Sequence, residues 1–350
     1  MNPTSERRVS RLALALLCLP LVAAQAAAPT ETLALGDLVQ RPDRWPASVK
    51  LKRDFQFSGG QGARAGQAVR VVEFNGAQVT VEAENELFFD VAPGDCDLLE
   101  AANLAWAALT PAQRAVDQKA LLEDASLWPE RVVCSGSFQL ENGTILPAGA
   151  EYGFLSLDAQ GVKVWSKEHR TWLLTELAQT DAIARARKIV LTDRDKRPAR
   201  VAEALKTSLV DSEGKPFRSA GIDEAKVFVL YFGASWCGPC RKFSPGLVRF
   251  AASAAKDHPR LAIVLMSNDE KDADMKSYMK EEKMPWPAMP LATLKETPQF
   301  LTLSAGYIPH MVVLDRHGKV LASSVENGQY VGPDRTMKKL EGLLASGIAK

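Results

Sequence analysis

The 350-residue sequence predicts an α/β domain, a mixed sheet flanked by helices, behind a mainly-β front half of two repeated units. Two observations carry this reading. The run Val227-Phe228-Val229-Leu230-Tyr231-Phe232 is apolar, β-branched and aromatic, as in a strand buried on both faces. It leads into Trp236-Cys237-Gly238-Pro239-Cys240, after which Phe243, Leu247, Phe250, Ala251 and Ala254 recur at helical spacing. In the front half, Phe55-Gln56-Phe57 reappears 83 residues later as Phe138-Gln139-Leu140, within alternating, strand-like stretches.

From the N-terminus, residues 1–26 read as an export signal. Arg7, Arg8 and Arg11 form a basic start, and Leu12 to Ala24 is apolar but too short to span a bilayer comfortably. Ala24-Gln25-Ala26 fits the small-x-small rule, so cleavage is expected near Ala26; a retained anchor is the alternative. The first β-repeat unit is expected over 31–108 and the second over 109–190. At the same offset of 83, Ala65-Gly66 meets Ala148-Gly149, and Val69, Val71 and Phe74 meet Tyr152, Phe154 and Leu157. With one residue inserted, Cys96-Asp97-Leu98-Leu99 meets Thr180-Asp181-Ala182-Ile183. Each unit ends in an alanine-rich, helical piece, 97–107 and 176–188. The charged run before Pro198 makes 191–207 a helical linker, and 208–350 is the α/β domain.

Charge excludes one class of partner. Lys and Arg total 43 against 42 Asp and Glu, so nothing argues for nucleic acid or an anionic membrane surface.

Cysteine usage points to redox chemistry. A Cys-x-x-Cys pair beside a strand–helix pattern is a redox signature. A zinc site needs further ligands. The remaining cysteines are Cys18, Cys96 and Cys134, and the four histidines are His169, His258, His310 and His317, none in a paired spacing. No metal and no cofactor are therefore expected. A purely structural Cys237–Cys240 bridge is the other alternative, though so short a loop gains little from cross-linking. At a helix start, free backbone N–H groups and the dipole favour a thiolate at Cys237, the form that attacks a disulfide. Pro239 fits near that start and denies the second sulfur a backbone donor. In an exported chain Cys96 and Cys134 become candidates for a structural disulfide; two buried free thiols, or one accessory redox thiol, are the rival readings.

Trp236 to Cys240 matches the active-site motif of the thioredoxin superfamily. Tyr231 to Cys237, Val264 to Glu270, Met284 to Pro290 and Tyr307-Ile308-Pro309-His310 followed by Met311 to Asp315 resemble its tryparedoxin and nucleoredoxin branch. The resemblance implies that Cys237 attacks and that Cys240, more buried, resolves the mixed disulfide. It implies a cis Pro309, an Ile308 backbone that pairs with an extended substrate, and an apolar rim of Trp236 and Trp286. The Gly238-Pro239 pair resembles reducing thioredoxins, whose potential lies near about −270 mV against about −120 mV for a strong oxidant. Many thioredoxins carry a buried Asp where Tyr231 stands here, which leaves Glu270 and His310 as candidate proton relays. The front half resembles, at fold level only, tandem small β-barrels of the Src-homology kind. The expected protein is an exported thiol–disulfide oxidoreductase, periplasmic or secreted, that reduces protein disulfides. Its partners are protein disulfide substrates and a membrane-bound thiol/disulfide electron donor. The alternatives are a disulfide isomerase or oxidase, or an envelope peptide- or wall-binding protein with a redox-sensing domain.

Overall fold

The computed structural model describes residues 31–57, 62–84, 87–197, 199–206, 209–217 and 220–349. The export signal with its cleavage site near Ala26, and Pro198 of the linker, lie outside the described residues.

The first β-unit opens with helix α1 (Leu35–Gln40) and continues through β1 (Ser48–Lys50), β2 (Phe55–Gln56), β3 (Gly62–Ala63), β4 (Ala68–Phe74), β5 (Val79–Ala83) and β6 (Leu87–Val91). A 3-10 turn at Pro93–Asp95 leads into α2 (Leu98–Ala107). After a short α3 (Pro111–Arg114), the same order returns: α4 (Gln118–Glu123), β7 (Arg131–Val133), β8 (Phe138–Gln139), β9 (Ile145–Leu146), β10 (Glu151–Asp158), β11 (Gly161–Ser166) and β12 (Thr171–Thr175). A 3-10 turn at Leu177–Gln179 and α5 (Ala182–Ile189) complete it. The sheets run β1-β4-β5-β6 and β7-β10-β11-β12, antiparallel throughout.

Each sheet closes on itself. Beyond β6 the chain returns at Cys96 to bridge Leu51, just past β1, with Asp97 N donating to Lys50 O at 3.1 Å. In the second unit Cys134 bridges Thr180, and Asp181 N donates to Val133 O at 3.1 Å. Joining the two outer strands removes the edges that would otherwise invite pairing with another chain. The duplication reaches further upstream than the alternation shows. The Trp45 indole donates to Leu38 O at 2.7 Å, and Trp128 donates to Leu121 O at 2.8 Å. Trp45-Pro46 and Trp128-Pro129 are the sequence signal for it, again 83 residues apart. Gly66 and Gly149, equivalent in the repeat, both hold φ at 81°, a left-handed turn that favours glycine.

Each unit has its own core, Val49, Phe74, Val81 and Trp106 in the first, Val132, Phe154, Val164 and Leu177 in the second. Cys96 lies in the first core and Cys134 in the second, and both are free thiols. The expected Cys96–Cys134 disulfide is therefore not formed. The reason is the repeat itself: Cys96 is equivalent to Thr180 and Cys134 to Leu51, so each cysteine faces a non-cysteine across its own closure.

The third part contains α6 (Arg200–Leu205), α7 (Ala220–Glu224), β13 (Val227–Gly233), α8 (Gly238–Asp257), β14 (Leu261–Ser267) and α9 (Asp272–Glu281). It continues through β15 (Ala288–Met289), α10 (Leu291–Lys295), α11 (Pro298–Leu301), β16 (His310–Asp315), β17 (Val320–Ser323), the ribbon β18 (Val325–Glu326) and β19 (Gln329–Tyr330), and α12 (Pro333–Ala345). The sheet runs β15-β14-β13-β16-β17, parallel at β13–β14 and β14–β15 and antiparallel beyond. Every residue of the central β13 is buried. Val227, Val229 and Tyr231 meet α8, α9 and α12 on one face; Phe228, Leu230 and Phe232 meet α6, α7, α10 and α11 on the other. That two-sided burial explains the uninterrupted apolar run. It also corrects the linker: α6 is a core element, with Val201 and Ala202 at 3% exposure and Leu205 at 0%. The linker reading followed the exposed charge before Pro198 and missed the apolar face that follows.

Candidate active site

The strand β13 ends at Gly233, and four residues later Cys237 caps α8. The Cys240 N–H points back at Cys237 Sγ, 3.1 Å away. The cap places one sulfur at the positive end of a 20-residue helix, where donors and dipole favour a thiolate over a thiol. Pro239 sits in the first turn, where its missing N–H is not needed by the helix. The Cβ position of Gly238 faces open space, so no neighbour crowds the loop between the cysteines.

Cys237 and Cys240 are joined as a disulfide with Cα atoms 5.2 Å apart. Cys237 is 5% exposed and Cys240 0%, so an incoming group meets Cys237 first. The Ile308–Pro309 bond is cis, and the Ile308 carbonyl oxygen lies 3.9 Å from Cys237 Sγ. Trp236, Tyr307 and Tyr330 are exposed around this point. The Tyr307 and Tyr330 rings lie 5.4 Å apart, and Tyr330 Oη donates to Pro309 O at 2.6 Å. Tyr330 escaped the sequence reading because it lies 21 residues beyond Pro309, on the β18–β19 ribbon, with no local pattern linking them.

Three expected features differ. Trp286 is buried in the core with α8 and α9, so the rim is made of Trp236 and the two tyrosines instead. Glu270 is exposed and makes no hydrogen bond among the described residues. Its neighbour Asp269 is the buried acid, accepting from Ser235 N at 2.9 Å and Ser235 Oγ at 2.7 Å. Asp269 therefore clamps the turn before the motif to the end of β14. Its signal was a carboxylate two residues past the end of the apolar strand. His310 is buried on the opposite face of the sheet from Cys240, its ring 5.3 Å from Phe232 and its Nε2 3.0 Å from Leu303 O. Alternation decides this: in β16, Met311 and Val313 face the cysteines, so His310 and Val312 face away. Burial lowers the His310 pKa, against a smaller opposing pull from the Leu303 carbonyl. A neutral ring on the far face is not a relay for Cys240.

Behind Cys240 stands a group of hydroxyls instead of a carboxylate. Tyr231 Oη lies 3.1 Å from both Ser244 Oγ and Tyr278 Oη, and Ser244 Oγ donates to Cys240 O at 2.9 Å. Burial pushes both tyrosine pKa values up. These groups stay neutral and act as hydrogen-bond donors, not as bases. Arg241 closes the outer side, donating from Nε to Ser235 O at 2.6 Å and from Nη1 to Glu281 at 2.8 Å. Among the described residues no three His, Cys, Asp or Glu side chains gather as a metal site.

Comparison with known proteins agrees with this geometry. Residues 224–320 match the family model described as thioredoxin-like. Tryparedoxin from Trypanosoma brucei brucei is 32% identical over 134 residues, 37% of this chain and 87% of that protein. Probable nucleoredoxin 1 from Arabidopsis thaliana is 39% identical over 101 residues, 28% of this chain. Nucleoredoxin from Bos taurus is 30% identical over 125 residues, 35% of this chain. The aligned part spans only 16% of the Arabidopsis protein and 28% of the bovine one. Fold and site define a thioredoxin-like redox protein. The chain belongs to the tryparedoxin and nucleoredoxin branch of the thioredoxin superfamily.

Proposed function

We propose that the chain is an exported thiol–disulfide oxidoreductase that reduces disulfides in partner proteins. The observation that carries the reading is Cys237, the less buried of the two sulfurs, at the N-terminus of α8, beside the cis Pro309 and the exposed Trp236. In the reduced chain, the Cys237 thiolate attacks one sulfur of a substrate disulfide. A mixed disulfide forms and the other substrate sulfur leaves as a thiolate. Cys240 then loses its proton and attacks Cys237, forming the Cys237–Cys240 bond and releasing the second substrate thiolate. Two electrons pass from the chain to the substrate, and a dithiol donor must return them. The Ile308 backbone beside the cis Pro309 is the surface for an incoming strand, with the aromatic rim covering its apolar side chains.

The basic, apolar and small-residue order of residues 1–26 supports export. A reductase in an oxidising compartment requires reducing equivalents from elsewhere, which favours a membrane-bound donor. Insulin reduction by the chain and its Cys237→Ser variant tests the activity. Turnover by the parent and none by the variant supports the reading; an inactive parent, or equal rates, sinks it. A potential for the pair near about −270 mV supports the reducing direction, and one near about −120 mV reverses it.

A further inference from the structure

Pro309 leads into β16 with a carbonyl that meets a side chain instead of a strand. Two residues on, Met311 turns both backbone groups toward Ser324. Its N–H donates to Ser324 Oγ at 2.9 Å, and its carbonyl accepts from Ser324 N at 2.9 Å. Alternate residues of a strand point their backbone groups the same way, so the Pro309 carbonyl faces that side too. There β17 has already ended at Ser323, and the chain has turned off into the β18–β19 ribbon. The last residue of that ribbon, Tyr330, fills the gap: its Oη donates to Pro309 O at 2.6 Å. Pro309 is buried, and a carbonyl left unpaired at such a residue is costly.

The ribbon is itself fastened. At its base Val331 N donates to Ser324 O at 2.8 Å, and Ser324 Oγ lies 3.1 Å from Thr336 Oγ1 on α12. At its tip Asn327 and Gly328 hold φ at 50° and 77°, a tight turn between paired strands. Along its side Glu326 accepts from Lys339 Nζ at 2.6 Å and lies 3.1 Å from Arg335 Nη2, both on α12. Burial, then the nearby Asp334, raises the Tyr330 pKa, so the hydroxyl is a donor at neutral pH. Tyr330 thereby holds the residue on each side of Ile308: Tyr307 by its ring, 5.4 Å away, and Pro309 by its hydroxyl. Between them lies the Ile308 carbonyl, 3.9 Å from Cys237 Sγ.

We propose that Tyr330 is a positioning residue of the redox site, holding the Tyr307-Ile308-Pro309 backbone in register with Cys237 for disulfides carried on an extended polypeptide. The inference rests on the reductase reading of Cys237 and adds what fixes its strand-pairing surface. An incoming strand must meet the Ile308 backbone with directed hydrogen bonds, whereas a small disulfide needs only to reach the sulfur. Loosening the Ile308 backbone therefore penalises the first kind of substrate more than the second.

Single-turnover oxidation of the reduced full chain tests this, with insulin and with 2-hydroxyethyl disulfide as substrates. Acid quenching, alkylation and mass spectrometry count the fraction that carries the Cys237–Cys240 bond. Tyr330→Phe keeps the ring and removes the hydroxyl. Its rate with insulin, relative to its rate with 2-hydroxyethyl disulfide, is expected to fall about fivefold or more below the parent's ratio. An equal fall with both disulfides, which a merely structural role gives, overturns the proposal, and so does no fall with either. A parent that insulin does not oxidise sinks the reductase reading and this inference with it. If Tyr330→Phe does not fold, Tyr307→Leu serves, since Tyr307 is 59% exposed and its loss frees the other side of Ile308. The same insulin-selective loss is expected there, and an unchanged ratio overturns the proposal.

Discussion

Cys237 and Cys240 sit bonded at a strand–helix junction, whereas Cys96 and Cys134 sit free in the cores of two β-units. The first pair is held by backbone: a helix N-terminus aims its N–H groups at one sulfur, and three residues of chain bring the other to it. The second pair is held by apolar packing, which excludes water and favours the neutral thiol. Burial raises the Cys96 pKa and pushes that of Cys134 up to about 12. The same atom is thus a reagent in one setting and a small hydrophobic group in the other.

The largest expected effect that tests this contrast is thiol reactivity. In the reduced, folded chain, iodoacetamide at pH 8 is expected to alkylate Cys237 at least about a hundredfold faster than Cys134, because a thiol with a pKa of about 12 is only about 0.01% thiolate there. Peptide mapping reads the rates, and comparable labelling of Cys134 breaks the contrast. Next comes stability. Cys134→Ser places a hydroxyl in an apolar core and is expected to cost about 1–3 kcal/mol, measured by urea unfolding. The Cys134 contribution has a pH signature. A raised folded pKa gives stability that is fully present below the ordinary value of 9.0 and is lost as pH rises toward about 12. An alkaline unfolding series that runs parallel in parent and Cys134→Ala contradicts that assignment.

Tyr231→Phe sharpens the comparison on the redox side. It keeps the ring packed against Phe243 and deletes only the hydroxyl. The expected loss is about 0.5–1.5 kcal/mol, since Ser244 and Tyr278 still bond each other and Cys240 O. A slower release of the mixed disulfide, followed by stopped flow, would show that the hydroxyl also serves the resolving step. The smallest effect lies across the sheet. His310 has a folded pKa below its ordinary 6.5, so its contribution is complete above that value and declines as pH falls toward the folded one. His310→Phe is expected to flatten the thermal midpoint between about pH 5 and 7 without altering insulin reduction. A variant with reduced turnover at unchanged stability would return His310 to the site.

Residues 224–320 were legible because their signals are local. A fully apolar strand, a cysteine cap and a helical spacing each lie within a few residues of one another, and the order of segments through Pro309 follows the chain. The roles of Asp269 and Tyr330 and the core packing of α6 were not legible, because each depends on a partner brought up by folding. Asp269 reaches back 34 residues to Ser235, and Tyr330 reaches Pro309 from a two-stranded ribbon.

By itself the sequence determined the redox pair, the strand and helix that hold it, and the 83-residue duplication in front, since all three are written in spacing along the chain. Only the tertiary structure decided which side of a sheet each residue meets. It turned His310 away from Cys240, buried Trp286 away from the rim, and gave Cys96 and Cys134 separate cores. The reason is that spacing fixes periodicity, whereas strand register and packing between units fix which face of that periodicity touches what.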